Sequence, residues 1–163
     1  MKLIILAGGK GTRIPEYTKS IPKPMVKIKN KPIIYHIMNH YAKYGIKDFI
    51  IATGYKKEII ENFFKKKKKN WNVKTIFTGK NTMTGGRIKR LQKFFKKNET
   101  FFLTYGDGLS DVNLNKLIKF HFKNKSLVTL TAVRPPARFG AIKITNRDRV
   151  SIFREKSSLD EGW

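Results

Sequence analysis

Cysteine is absent from the 163 residues, so neither a disulfide framework nor a thiolate nucleophile or metal ligand is available. Histidine is scarce: His36, His40 and His121 are too few and too scattered to form a zinc cluster. Acid is scarce as well, with 11 Asp and Glu against 36 Lys and Arg and a formal net charge of +25. No apolar run approaches the ~20 residues that a membrane helix requires. The stretch Met1–Gly9 is too briefly apolar for a signal peptide and runs straight into glycines. Together these absences lead us to expect a soluble, cytoplasmic protein without a membrane partner. A chain of this length forms one domain, 1–163, burying roughly 70% of the surface exposed when unfolded.

What is abundant is lysine, 28 against 8 arginines. A charge of +25 invites a nucleic-acid partner through counterion release. Bidentate recognition of phosphate and base edges favours arginine, however, and the lysines are spread along the chain. The densest run, Lys65–Lys69, follows an amphipathic stretch and reads as a solvated helix end. A lysine-rich habit that steers small phosphate anions is the expectation, with nucleic acid as the alternative.

Apolar patterns alternate in a regular order. Lys2–Ala7 is a continuous apolar run, as for a strand buried on both faces, and Asp48–Thr53 is a second. Asn72–Thr78, Thr100–Tyr105 and Leu127–Val133 read as further strands. Between them lie helical spacings: Ile33, Ile34, Ile37, Met38 and Tyr41 up to a capping Gly45; Ile59, Ile60, Phe63 and Phe64; and Ile88, Leu91, Phe94 and Phe95 up to Asn98. Leu114, Leu117, Ile118 and His121 share a helix face beginning after Asp111 or Asn113, both suitable N-caps. Ala141–Thr145 and Arg149–Phe153 predict a hairpin. The alternation predicts an α/β fold: a Rossmann-like, mostly parallel sheet with helices on both faces. In such sheets ligands sit beyond the carboxyl ends of the strands, which directs attention to two loops.

The first is Gly8-Gly9-Lys10-Gly11-Thr12-Arg13. Its glycines permit a sharp turn whose N–H groups cradle anionic oxygens, and Arg13 adds a fork of donors. It matches neither the P-loop pattern nor the dinucleotide fingerprint, and a ligand-free tight turn is the alternative. Lys23 lies between Pro22 and Pro24, which predicts an extended, pre-positioned lysine. In the second loop Asp107 sits between Gly106 and Gly108, either as a turn residue bonding its own backbone or as a ligand for a hard divalent cation.

Leu6-Ala7-Gly8-Gly9-x-Gly11-Thr12-Arg13 followed by Pro22-Lys23-Pro24-Met25 resembles the signature of the sugar-phosphate nucleotidyltransferase family. Four further runs are similar to its glucose-1-phosphate cytidylyltransferase branch: His36-Ile37-Met38, Met83-Thr84-Gly85-Gly86-Arg87, Thr104-Tyr105-Gly106-Asp107-Gly108 and Pro135-Pro136-Ala137-Arg138-Phe139-Gly140-Ala141. The resemblance implies transfer of a cytidylyl group from CTP to glucose 1-phosphate with Mg²⁺ as cofactor, in nucleotide-sugar and O-antigen biosynthesis. It further implies that Leu6, Ala7, Gly8, Gly9 and Lys10 contact the nucleotide and that Gly11, Thr12 and Arg13 contact its phosphates. Lys23 steadies the triphosphate; Thr82, Arg87 and Gly106 complete the nucleotide site; Asp107 holds the metal. Arg13, Lys23 and Asp107 thus form the expected catalytic set, while Gly140, Glu155 and Lys156 receive the sugar phosphate.

The chain also departs from that pattern. It stops at Trp163 where relatives continue into the part that supplies a second metal-binding aspartate and much of the sugar pocket. The family's insertion after Tyr55-Lys56 is missing, which bears on whether the protein is a homo-oligomer. Lys10 and Ser157 replace an apolar residue and a proline. The expectation is a retained nucleotide half with weakened or lost sugar binding; the alternatives are a nucleotide-binding module without turnover and a relative using another nucleotide and sugar phosphate.

Overall fold

The computed structural model describes residues 1–12, 15–66, 70–133 and 141–154. These fall into two compact units, Met1–Ile118 and Lys119–Trp163.

The first unit is built on four parallel strands in the order β5-β4-β1-β6: β1 (Lys2–Ala7), β4 (Asp48–Thr53), β5 (Asn72–Phe77) and β6 (Phe102–Tyr105). The continuous apolar runs are the central strands, with Leu3–Ala7 and Phe49–Thr53 buried, whereas β5 and β6 at the edges alternate with exposed residues. Alternate β1 side chains enter two cores. Leu3, Ile5 and Ala7 pack with Ile34 and Met38 of α2 (Ile33–Lys43), Ile60 of α3 (Lys57–Lys65) and Leu114 of α5 (Leu114–Asn124). Ile4 and Leu6 point the other way, onto Leu91, Ile88 and Phe94. Helical elements therefore cover both faces, as the alternation predicts.

Local chemistry explains two of the boundaries. Asn113 caps α5, its Oδ1 accepting the Lys116 N–H at 3.0 Å. Gly45 follows α2 with φ +82°. Among the described residues, the non-glycine Lys29, Lys56, Asn98, Lys125 and Asp148 also take positive φ. The short antiparallel ladder of β2 (Lys27–Ile28) and β3 (Lys31–Pro32), turning at Lys29, carries no apolar signal of its own.

Three expectations are corrected. The helix expected through Ile88–Asn98 stops early: α4 is Thr84–Arg90, followed by a 3-10 turn at Gln92–Phe94. Leu91 is buried against β1 and β4, and tighter bonds, Phe94 N–H to Leu91 carbonyl at 3.0 Å and Phe95 N–H to Gln92 carbonyl at 3.1 Å, turn both phenylalanines onto the same core. Lys23 is not extended but opens a 3-10 turn, Lys23–Met25. Two backbone bonds, from the Met25 N–H to Pro22 and from the Val26 N–H to Lys23, override the preference that Pro24 imposes on its predecessor. Leu127–Val133, in the second unit, joins no ladder among the described residues, and Leu127 is 99% exposed. Its alternation suits a sheet, but a strand exists only where another backbone pairs with it. The expected hairpin is present there as β7 (Ala141–Ile144) against β8 (Val150–Arg154).

At the amino end of β1, Lys2 Nζ donates to Glu99 Oε1 at 2.7 Å and to the Phe94 carbonyl at 2.9 Å. The Lys2 hydrogen bond, with the Lys96 backbone N–H behind it, holds the Glu99 carboxyl below its ordinary range. The folded state thus binds fewer protons there than the unfolded state, so this contribution exists at neutral pH and is lost as pH falls. Glu99→Gln should lower the melting temperature at pH 7, and the gap from wild type should close as pH falls below the usual glutamate value of about 4.3; thermal unfolding across pH measures it.

Candidate active site

The register of the parallel strands brings four turns to one edge. Ala7, Thr53 and Phe77 lie side by side at the carboxyl ends of β1, β4 and β5, with Tyr105 beside Leu6. Backbone bonds cross-link the turns beyond them: the Gly106 N–H reaches the Leu6 carbonyl at 2.9 Å, the Tyr55 N–H the Gly8 carbonyl at 3.2 Å, and the Thr78 N–H the Thr53 carbonyl at 2.9 Å. Along this edge opens a cavity of about 320 Å³.

The glycine loop forms one part of its wall. Gly11 takes φ +67°, and a Cβ there would stand 2.7 Å from Thr18 Cγ2. Thr18, buried at the end of α1 (Pro15–Thr18), donates its hydroxyl to the Gly11 carbonyl at 2.9 Å, and Tyr55 Oη donates to the Thr18 carbonyl at 3.1 Å. The loop is thereby tied to the turn after β4. Leu6, Ala7, Gly8, Gly9, Gly11 and Thr12 all line the cavity; Lys10 is exposed and does not.

Lys23 and Asp107 meet across the cavity wall, Nζ to Oδ2 at 2.6 Å, with about a third of each side chain exposed. Two separate backbone segments produce this contact. The 3-10 turn presents Lys23 and seats Pro24 against Gly106, where a Cβ would come within 2.8 Å of Pro24 Cγ. Gly106 is buried behind this packing, and Asp107 follows it into the cavity. Glycine at 106 is thus what lets the two charged residues approach.

Thr82 and Arg87 line the cavity from the region of α4. The Arg87 side chain is buried, and its polar contacts among the described residues are to main-chain carbonyls and the Thr78 hydroxyl. Arg13, Gly140, Glu155 and Lys156 lie outside the described residues. Four wall residues received no role from the sequence: Pro24, Met83, Thr84 and Tyr105. Each falls inside a recognised run, so position within those runs was the available signal. Among the described residues no group of three or more His, Asp or Glu side chains could hold a metal ion, and Asp107 is the one acid lining the cavity. A single carboxylate suits a magnesium ion that takes its other oxygens from water and phosphate.

The arrangement can bind a polyanion next to a carboxylate: amides and a lysine on a concave wall, with a buried guanidinium holding the carbonyl of the glycine loop. Comparison with known proteins agrees with that chemistry. Residues 2–162 match the nucleotidyl transferase family. The chain is similar to glucose-1-phosphate cytidylyltransferase of Salmonella typhimurium, 43% identical over 182 residues, covering 98% of this chain and 70% of the relative. It is also similar to D-glycero-alpha-D-manno-heptose 1-phosphate guanylyltransferase of Campylobacter jejuni, at 37% identity over 99% of this chain and 72% of that protein. Among solved structures, HddC from Yersinia pseudotuberculosis complexed with GMP-PN superposes with a TM-score of 0.65 at 30% identity, covering 95% of this chain and 69% of that one.

The Gly11 backbone supplies a direct test of the loop. Gly11→Ala forces a side chain into the left-handed region and against Thr18, at a cost of about 1–2 kcal/mol, which urea unfolding should register. The same variant should bind inorganic tripolyphosphate more weakly than wild type in a calorimetric titration.

Proposed function

The chain belongs to the nucleotidyl transferase family, and on that premise we propose that its cavity binds CTP and transfers the cytidylyl group to glucose 1-phosphate, releasing pyrophosphate. The observation that carries this reading is the convergence of Lys23 and Asp107 at 2.6 Å beside a loop of backbone amides. A nucleoside triphosphate needs both partners, a cation for its phosphate oxygens and a carboxylate for its metal.

A phosphate oxygen of glucose 1-phosphate attacks the α-phosphorus of CTP in line. The new P–O bond forms as the bond to the pyrophosphate oxygen breaks. The attacking oxygen is already anionic, so no general base is required. Catalysis is alignment and neutralisation of charge. The N–H groups of Gly9, Gly11 and Thr12 receive phosphate oxygens. Lys23 leaves Asp107 and donates to the reacting phosphoryl group. Leu6, Ala7, Gly8 and Gly106 shape the nucleoside wall with Thr82 and Arg87. Asp107 holds Mg²⁺, which when bound neutralises charge on the phosphates. The family resemblance would add Arg13 for the phosphates and Gly140, Glu155 and Lys156 for the sugar phosphate, all of them outside the described residues. No helix among the described residues is long and apolar enough to cross a membrane.

A second reading, GTP with a heptose 1-phosphate, is favoured by the Campylobacter relative and by the likeness to HddC. Thermal-shift ranking of CTP, UTP, dTTP and GTP with Mg²⁺ separates the two. CTP should stabilise most, and pyrophosphate should appear on adding glucose 1-phosphate; GTP ranking first, or no nucleotide shifting the transition, overturns the CTP assignment. Because Asp107 occupies Lys23, Asp107→Asn should behave oppositely with and without metal. In EDTA it should bind CTP about two- to fivefold more tightly than wild type, since a partly exposed ion pair is worth roughly 0–1 kcal/mol. In Mg²⁺ it should bind more weakly, a reversal that calorimetry reads directly.

A further inference from the structure

Helix α4 carries two arginines one turn apart, Arg87 and Arg90, and neither forms an ion pair among the described residues. Like charges at this spacing repel, and burying one of them without an acid is costly. Burial first, then the charge of Arg90, lowers the affinity of Arg87 for its proton. Such an arrangement requires compensation, and the hydrogen bonds show where it comes from.

Arg87 is 5% exposed. Its Nη1 donates to Thr78 Oγ1 at 2.7 Å, to the Gly79 carbonyl at 2.8 Å and to the Thr53 carbonyl at 3.2 Å; Nη2 donates to the Gly8 carbonyl at 3.0 Å. One guanidinium thus joins the carboxyl ends of β1, β4 and β5. Arg90 Nη1 donates to the Thr78 carbonyl at 2.7 Å and to Thr82 Oγ1 at 2.9 Å. A lysine, with a single nitrogen, cannot reproduce the span between Gly8 and Gly79.

We infer that Arg87 and Arg90 are positioning residues for nucleotide binding: Arg87 fixes the Gly8–Gly9 peptide, and Arg90 fixes the Thr82 hydroxyl on the cavity wall. Peptide geometry makes the connection. A planar trans peptide points its carbonyl and its N–H in opposite directions. The Gly8 carbonyl is held by two donors, Arg87 and the Tyr55 N–H, so the direction of the Gly9 N–H is fixed before any ligand arrives. Residue 8 is glycine because a Cβ there would overlap the Arg87 guanidinium. Arg87 acts through the loop, and Arg90, outside the cavity wall, acts through Thr82.

The inference rests on reading the cavity as a nucleoside triphosphate site, so the experiment tests the two separately. Amide spectra of the ligand-free protein and calorimetric titrations with CTP·Mg²⁺ are compared for wild type, Arg87→Lys, Gly8→Ala, the double variant and Arg90→Gln. Arg87→Lys should move the Gly9 amide resonance without ligand and weaken CTP binding by about tenfold or more, the loss expected for a buried charged hydrogen bond. Gly8→Ala, which displaces the guanidinium, should do the same, and the double variant should be no weaker than the worse single one. Arg90→Gln, at an exposed position, should move the Thr82 resonances and weaken CTP by about threefold, as for a surface hydrogen bond. Losses that multiply in the double variant mean that Gly8 and Arg87 act independently and overturn the inference, as does an unmoved Gly9 amide in Arg87→Lys. If Arg87→Lys does not fold, Gly8→Ala and Arg90→Gln decide. A wild-type chain that binds no CTP while the Gly9 amide still responds refutes the nucleotide reading and leaves the positioning geometry standing.

Discussion

Where parallel strands end, their last carbonyls lose the ladder that satisfied them, and something else must supply donors in a place water reaches poorly. At the carboxyl edge of this sheet the donors come from neighbouring turns and from one buried guanidinium. The Gly8 carbonyl takes both a Tyr55 N–H and Arg87, the Leu6 carbonyl takes the Gly106 N–H, and the Thr53 carbonyl takes the Thr78 N–H. Satisfying backbone groups and shaping the cavity are therefore the same act. Each bond that closes a strand end also orients a wall residue, which is why the glycine loop, the Asp107 turn and the start of α4 share one rim.

Much of this was legible in the sequence where a signal is local or periodic. The continuous runs Lys2–Ala7 and Asp48–Thr53 give the central strands because burial on both faces demands apolar side chains throughout. Asn113 gives the start of α5 through its side-chain oxygen. The proximity of Lys23 and Asp107 is not encoded in spacing; only the family resemblance places them together. Lys23 itself illustrates the limit, since Pro24 predicts extension and two short-range backbone bonds produce a 3-10 turn instead. Leu127–Val133 errs the other way: its pattern describes a surface suited to pairing, and pairing depends on a second backbone that no pattern within seven residues can supply.

Arg87 and Arg90 mark a different boundary of legibility. In a chain with 36 basic side chains, Arg87 is singled out only by the family resemblance of residues 83–87, and Arg90 by nothing. Their partners are carbonyls and hydroxyls distant in sequence, up to 79 residues for Gly8, and carbonyls have no residue-type signature. Chemistry that runs through the main chain is invisible to motif reading, however well the motif itself is recognised.

A net charge of +25 attracts anions over long range irrespective of their identity. The contact between Lys23 and Asp107 sets one carboxylate against that attraction on the cavity wall. An arriving anion finds the lysine engaged and a carboxylate facing it, and an arriving free cation finds the carboxylate engaged. Only a visitor bringing both signs at once satisfies the two side chains simultaneously. A partly exposed pair of this kind is worth about 0–1 kcal/mol, so it sets a small bias of charge against a solute that brings one sign alone.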